Sequence, residues 1–162
     1  MNAGIEAVPV TWRDGANIII GQSHFIKTAE DLAEVMAGAA PGAKYGLAFS
    51  EASGPCLVRT EGNDEGLVAD AVRAALAVGA GHSFYLVLEN VFPISVLNQV
   101  KACPEVCRVF CATANPLQVL VAATSQGRGI VGVIDGASPK GVESANDRSE
   151  RRAMLRRFGY KF

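Results

Sequence analysis

The stretch that decides the fold runs from Asn17 to Ala37: NIIIGQS at 17–23, HFIK at 24–27, then TAEDLAEVMA at 28–37. Asn17–Ser23 is a short apolar run rich in β-branched residues, which predicts a strand buried on both faces. Thr28 with Asp31 three residues later has the spacing of an N-terminal cap, so a helix is expected from Thr28 to about Ala37. A strand followed within five residues by a helix is the opening half of a crossover unit. It predicts an α/β architecture.

The same logic extends outward. Tyr45–Ser50 and Cys56–Thr60 read as two strands of a hairpin turning at Ala52-Ser53-Gly54-Pro55. Asn63-Asp64-Glu65 caps a second helix to Val78, with Leu67, Val68, Ala71, Val72, Ala75 and Leu76 at helical spacing. Gly79-Ala80-Gly81 stops it. Ser83–Leu88 is a strand. Pro93 sits as a first helical residue, and a short helix follows to about Ala102. Val106–Ala112, Leu117–Ala123 and Ile130–Ile134 are further strands, and Asn146–Arg157 is a basic, mostly polar helix. The expected fold class is α/β, a three-layer α/β/α sandwich with a mixed sheet. If helices join parallel strands and short turns join antiparallel ones, four loops meet at one sheet edge. These are Ser23-His24, Glu51–Pro55, Gly79–His82 and Gln126–Gly129.

Composition narrows the function. The 162 residues carry a net charge of −1, with 49% hydrophobic and 19% charged residues. That excludes a disordered chain and argues against a binder that grips nucleic acid through a basic face. The low charge fraction favours a homo-oligomer. Apolar runs such as Val119–Ala123 are far shorter than the ~20 residues of a membrane span. The first ten residues carry Glu6 and no basic region, so no signal peptide is read there, and a cytoplasmic location is expected. The four cysteines, Cys56, Cys103, Cys107 and Cys111, are expected to be reduced thiols. Their spacing is not a zinc pattern, and Cys107 and Cys111 should share one strand face.

The chemistry of the four loops centres on His24 and His82, the two histidines of the chain. Either can serve as base, ligand or covalent nucleophile near neutral pH. His24 lies just before a helix N-terminus with Lys27 and Thr28, a place that favours an anion. Gly79 and Gly81 let a ligand approach the backbone beside His82. Arg128, in a glycine-flanked loop, offers a guanidinium for a phosphate. Glu51 and Asp135 are candidate Mg²⁺ carboxylates, with Asp135 at the far end of its strand. No P-loop, no G-x-G-x-x-G dinucleotide fingerprint, no metalloprotease helix and no serine-hydrolase elbow is read, so a nucleotide user here is expected to be neither a P-loop nor a Rossmann enzyme.

The strings NIIIGQSHFIKTAEDL, GLAFSEASG, RTEGNDE, GAGHSF, FPISVLN, PEVCRVFCATANP and TSQGRGIVGVIDGASPKGVE occur in this order over nearly the whole chain. Together they resemble the adenosine-specific kinase family. The resemblance implies one domain over residues 1–162, a three-layer α/β/α fold, binding of adenosine and AMP, and a phosphorylated histidine. It makes His24 and His82 the candidate catalytic residues, with Ser23, Lys27, Thr28, Glu51, Ser53, Gly81 and Arg128 as candidate substrate contacts. Asn63 and Asn115 are further polar candidates for the nucleoside. The implied partners are adenosine or AMP and further copies of the chain, as a trimer or dimer of trimers. Neither nucleic acid nor membrane is expected. Mg²⁺ with a nucleotide phosphoryl donor is the expected cofactor requirement. A non-catalytic AMP or adenosine sensor and a ligand-free assembly protein are the competing readings.

Overall fold

The computed structural model describes residues 4–162. Its elements, in chain order, are β1 (Gly4–Val10), β2 (Asn17–Ser23), α1 (Thr28–Ala39), β3 (Lys44–Ser50), β4 (Val58–Gly62), α2 (Glu65–Val78) and β5 (Ser83–Glu89). A single 3₁₀ turn at Pro93–Ser95 leads into α3 (Leu97–Ala102). Then come β6 (Val106–Thr113), β7 (Leu117–Ala123), β8 (Arg128–Asp135) and α4 (Ala145–Arg157). Five strands form one sheet in the order β4-β3-β5-β2-β6, and β1-β7-β8 form a second.

The α/β sandwich follows from strands that are apolar on both faces. Ile18, Ile19 and Ile20 of β2 and Phe84 to Leu88 of β5 are fully buried. Alternation sends Ile19, Leu47, Phe49, Phe84, Leu86 and Leu88 to one face, where Leu32 and Met36 of α1 and Val100 of α3 cover them. Ile18, Ile20, Tyr85 and Val87 point the other way, towards Leu67, Ala71 and Ala75 of α2 and Val119 and Val121 of β7. The outer layer on that side is therefore half helix and half sheet.

The strand directions follow the sequence trace. β2 and β3 run the same way, joined by α1, but β5 lies between them and pairs antiparallel with both. Among the described residues every ladder between neighbouring strands is antiparallel, and parallel pairing is confined to the isolated bridge Ala80–Arg128. Asp64 caps α2 as expected, accepting from the Leu67 N–H at 3.0 Å, and Gly79 ends it in the left-handed region. Arg13 ties the turn before β2 to that helix, with Nε 3.1 Å from the buried Asp70. Burial pushes the Asp70 carboxyl up, but Arg73 and Arg13 more than offset it and hold it below the usual range.

Several expectations are corrected. β1 was not foreseen, because Glu6 and Pro9 interrupt its apolar residues and most of it is exposed; only Val8 and Val10 are buried, against β7. β4 begins at Val58 rather than Cys56, because Cys56 takes a left-handed turn conformation (φ 52°). β8 is longer than expected, from Arg128 to Asp135. Thr28 is not the cap of α1: Lys27 holds that position with no side-chain cap. Cys107 and Cys111 do not share a face. Pairing of β2 with β6 skips register between Ile20 and Gly21 and again between Gln22 and Ser23, and each bulge shifts the alternation. Cys107 is exposed, while Cys111 is buried and its thiol is pushed up to about 12 by burial. All four cysteines are free. The spacing G-x-G-x-x-G does occur, at Gly127–Gly132, but it lies in a hairpin loop and β8, not at a strand-to-helix turn. It therefore lacks the helix N-terminus that binds a pyrophosphate.

The tightest approach of backbone to backbone is at Gly46 of β3. A Cβ there would lie 2.1 Å from the Leu67 carbonyl carbon and the Val68 nitrogen of α2. Because the obstacle is helix backbone, Gly46→Ala is expected to lift α2 from the sheet and cost at least about 2 kcal/mol, read as a lowered urea midpoint with circular dichroism. An unchanged midpoint would show that α2 accommodates the methyl group.

Candidate functional site

Backbone hydrogen bonds lash the histidine-bearing loops together. The Ser23 N–H donates to the His82 carbonyl at 2.9 Å, and the His82 N–H donates to the Ser50 carbonyl at 2.7 Å. The His24 N–H donates to the Glu105 carbonyl at 3.0 Å. The ends of β2 and β3 and the approaches to β5 and β6 thus meet at one edge, as the sequence trace required. His82 adopts a left-handed conformation (φ 60°), costly for a residue with a Cβ and held by those two bonds. Its ring is half-buried and stacks on Phe49 at 5.9 Å between centroids. His24 is exposed.

At this edge, on the α2 side of the main sheet, lies a cavity of about 560 Å³. Ser50, Glu51, Cys56, Gly79–Gly81 and Arg128 line it. The Ser50 hydroxyl is buried there and has no hydrogen-bond partner among the described residues. Burying an unpaired hydroxyl is costly, so it marks a place for a polar ligand atom or water. Arg128 is not on a mobile tip. Its Nε donates to the Val78 carbonyl at 2.8 Å, satisfying an end of α2, and Nη1 lies 3.2 Å from Glu6. The guanidinium keeps further donors for a ligand. The Glu51 carboxylate accepts from the Leu57 N–H at 3.0 Å and from Arg59 at 3.1 and 3.2 Å, which hold it below the usual carboxylate range.

Of the sequence-derived candidates, Glu51, Gly81 and Arg128 line the cavity. His24 and His82 share its edge but do not line it. Phe49, which carries the His82 ring, belongs to the core on the α1 side, whereas Ser50 turns to the α2 side. Ser23 and Thr28 are fully buried. The Thr28 hydroxyl donates to the Phe25 carbonyl at 2.6 Å and meets the Ser23 hydroxyl at 2.7 Å, so the two brace the His24 loop from inside. The Ser53 carbonyl accepts from the Cys56 N–H at 3.3 Å within the turn. Asn63 bonds Tyr45 and Ala43, and Asn115 bonds Asp135, both at the opposite edge of the sheet. Ser50 was missed by sequence reasoning. Its signal was a polar residue ending a strand in phase with Ala48 on the α2 face.

The surroundings of His24 are less cationic than the sequence suggested. The Thr28 and Ala29 N–H groups are taken by the Phe25 and Ile26 carbonyls, and the Lys27 ammonium engages Asp31. Lys27 holds the Asp31 carboxyl below its usual range. Glu105 lies beside this pair, buried, with one carboxyl oxygen unpartnered. Burial and the neighbouring Asp31 carboxylate push the Glu105 carboxyl above its usual range. A protonated Glu105 can donate to Asp31; an ionised one would face it as a buried like charge.

The carboxylates do not fit a protein-held Mg²⁺. Glu51 is spent on Arg59 and a backbone amide, Asp135 is on the opposite edge, and no group of three or more His, Cys, Asp or Glu residues gathers among the described residues. Among the described residues no helix is long and apolar enough to cross a membrane.

The family described as "Adenosine specific kinase" matches residues 8–161. The PH1918 protein from Pyrococcus horikoshii OT3, known from its crystal structure, is 41% identical to the chain. The two cover 99% of each other and superpose with a TM-score of 0.94. No curated protein matches the chain.

The Glu105 environment generates a pH prediction. A raised folded-state pKa contributes stability that is present below about pH 4.3, the unfolded value, and is lost as pH rises through the folded value. Glu105→Gln removes that loss. The difference in melting temperature between variant and native protein should therefore shift in the variant's favour from pH 4 to pH 8. Parallel pH profiles would mean that Glu105 does not hold a proton in the folded state.

Proposed function

The chain belongs to the adenosine-specific kinase family, and on that premise we propose that it is an adenosine/AMP-binding phosphotransferase that works through a phosphohistidine. The observation that carries this reading is the cavity at the histidine edge, with the unpartnered Ser50 hydroxyl and the anchored Arg128 on its walls. A nucleoside needs a concave site with a few polar groups, and a 5′-phosphate needs a fixed cation. Arg128 supplies the cation; Ser50, Gly81 and the rim at Glu51 supply the polar groups. Four reduced cysteines suit a cytosolic enzyme.

The chemistry would be two displacements. An imidazole nitrogen attacks the terminal phosphorus of a nucleotide donor; the N–P bond forms and the P–O bond to the leaving nucleotide breaks. A ribose hydroxyl oxygen then attacks the same phosphorus. The N–P bond breaks, its electron pair returns to the imidazole, and the hydroxyl proton leaves with it. We assign the phosphoryl group to His24. It is exposed and open to a donor, whereas the His82 ring is half-buried on Phe49. His82 supports the site through its backbone, which joins Ser23 to Ser50. The residues offer no set of oxygen ligands for Mg²⁺, so a metal would arrive on the donor's own phosphates.

A second reading, a non-catalytic AMP or adenosine sensor, is favoured by one observation: neither histidine lines the cavity. The two readings separate on turnover. An enzyme releases phosphorylated product repeatedly from a nucleotide donor, while a sensor shows saturable binding alone.

Intact-mass spectrometry of freshly purified protein at neutral and acid pH should show an acid-labile phosphate adduct. It should vanish in His24→Gln and persist in His82→Gln; the reverse pattern would exchange the two roles, and no adduct in the native protein would favour the sensor. Arg128→Ala should weaken AMP roughly tenfold or more, the worth of a charge-assisted bond, and adenosine much less. Equal losses for both ligands by calorimetry would remove Arg128 from the phosphate subsite.

A further inference from the structure

The cavity at the histidine edge has a thiol on its lip. Cys56 is exposed and lines the same space as Ser50, Gly79–Gly81 and Arg128. Its place is fixed by the turn that joins β3 to β4. The Glu51 N–H donates to the Leu57 carbonyl at 3.1 Å, and the Leu57 N–H donates to the Glu51 carboxylate at 3.0 Å. The Cys56 N–H donates to the Ser53 carbonyl at 3.3 Å. These bonds hold Cys56 at φ 52°, a conformation that costs any residue with a Cβ.

The other three thiols are placed differently. Cys103 and Cys111 are buried. Cys107 is exposed, but it lies on β6, at the opposite end of the strand order from β4, with Sγ 3.6 Å from the Glu105 carbonyl. Among the described residues no second cysteine lines the cavity. An oxidised Cys56 therefore has no thiol there with which to close an internal disulfide, and its other half must come from a separate molecule.

The walls behind the thiol suit a half that carries an anion. Ser50 is 8% exposed, and its unpartnered hydroxyl calls for a polar atom from the cavity side. Arg128 spends Nε on the Val78 carbonyl and Nη1 on Glu6, which leaves the Nη2 donors for a ligand. Glu51, the acid on the same wall, is already paired with Arg59. The volume of about 560 Å³ is that of a site for one small molecule.

We propose that Cys56 is a site of reversible mixed-disulfide formation with a small disulfide that carries carboxylates, of the glutathione disulfide type, and that the added half folds into the cavity with a carboxylate on Arg128 and a polar group on Ser50. The Cys56 thiolate attacks one sulfur of the disulfide. The new S–S bond forms as the old one breaks, and the electron pair leaves on the second half, which departs as a thiolate and takes up the proton that Cys56 released. One disulfide is consumed and one is made, so no further oxidant is needed, and a reducing thiol reverses the step. While the adduct lasts, the cavity is filled. The site itself needs only the geometry of the lip and walls; the exclusion of AMP rests on the proposed function.

The test equilibrates the full-length protein with a fixed ratio of glutathione disulfide to glutathione, and separately with the same ratio of bis(2-hydroxyethyl) disulfide to mercaptoethanol. Peptide mass spectrometry reads the occupancy of each cysteine. The neutral pair reports the thiol alone, and the difference between the pairs reports the cavity. Cys56 should prefer the glutathionyl group by at least about tenfold more than Cys107 does, the worth of one charge-assisted hydrogen bond. Arg128→Gln, shown to be folded by circular dichroism, should remove that preference and leave the hydroxyethyl occupancy unchanged. Equal preferences at Cys56 and Cys107 would overturn the proposal, as would a preference that survives in folded Arg128→Gln; if that variant does not fold, the two cysteines of the native protein decide. Saturating AMP should lower the glutathionyl occupancy of Cys56 and not that of Cys107. A preference at Cys56 without protection by AMP would support the thiol site and count against the nucleotide reading of the cavity.

Discussion

The structure depends on burying β2 and β5 from both sides. Both strands are apolar at every position along their middle, so neither face of the main sheet can be left to water. Each uncovered Ile or Leu would forfeit about 1.5–3 kcal/mol. One face is closed by α1 and α3. The other is too wide for α2 alone, and β1-β7-β8 completes it. Gly46 sets how closely α2 can lie, and Arg13 pins the turn before β2 to that helix through Asp70. With both faces closed, the sheet edges are the places left for chemistry.

Much of this was legible in the residues. The apolar run at Asn17–Ser23, the cap at Asp64 and the stop at Gly79 are local signals, and each produced the element expected. Strand directions then brought Ser23-His24, Glu51–Pro55, Gly79–His82 and Gln126–Gly129 to one edge without any contact being known. What escaped was long-range. β1 is broken by Glu6 and Pro9 and exposed along most of its length, and it becomes a strand because β7 is there to pair with it. The bulges in β6 break the alternation that put Cys107 and Cys111 on one face. Thr28 looked like a cap, but the buried hydroxyl of Ser23 and the Phe25 carbonyl claim it instead.

The site shows the same division. Residue type and loop position identified Glu51, Gly81 and Arg128, which do meet around a cavity. They could not tell that the histidine rings lie off its wall, because that depends on whether a side chain at a strand end points to the α1 or the α2 face. Phe49 and Ser50 are adjacent in sequence and opposite in space. Nor could they show that Arg128 is anchored, since Val78 and Glu6 are distant in the chain. Ser50, visible in the sequence as an ordinary strand-end serine, becomes notable only once its hydroxyl is seen buried and unpaired.

The pairing of β1 with β7 also governs the order of events during synthesis. Gly4 meets Ala123 and Val10 meets Leu117, so β1 has no partner until more than a hundred further residues have been made. Such distant contacts are slow to form, because a long loop must close before they repay its entropy. While it waits, the segment is kept from premature pairing by its own composition: Glu6 and Pro9 interrupt what would otherwise be an open, adhesive edge. The main sheet needs no residue beyond Thr113 to complete its strands. It can assemble first and offer β7 a finished surface, and the N-terminus then closes the molecule as the last strand home.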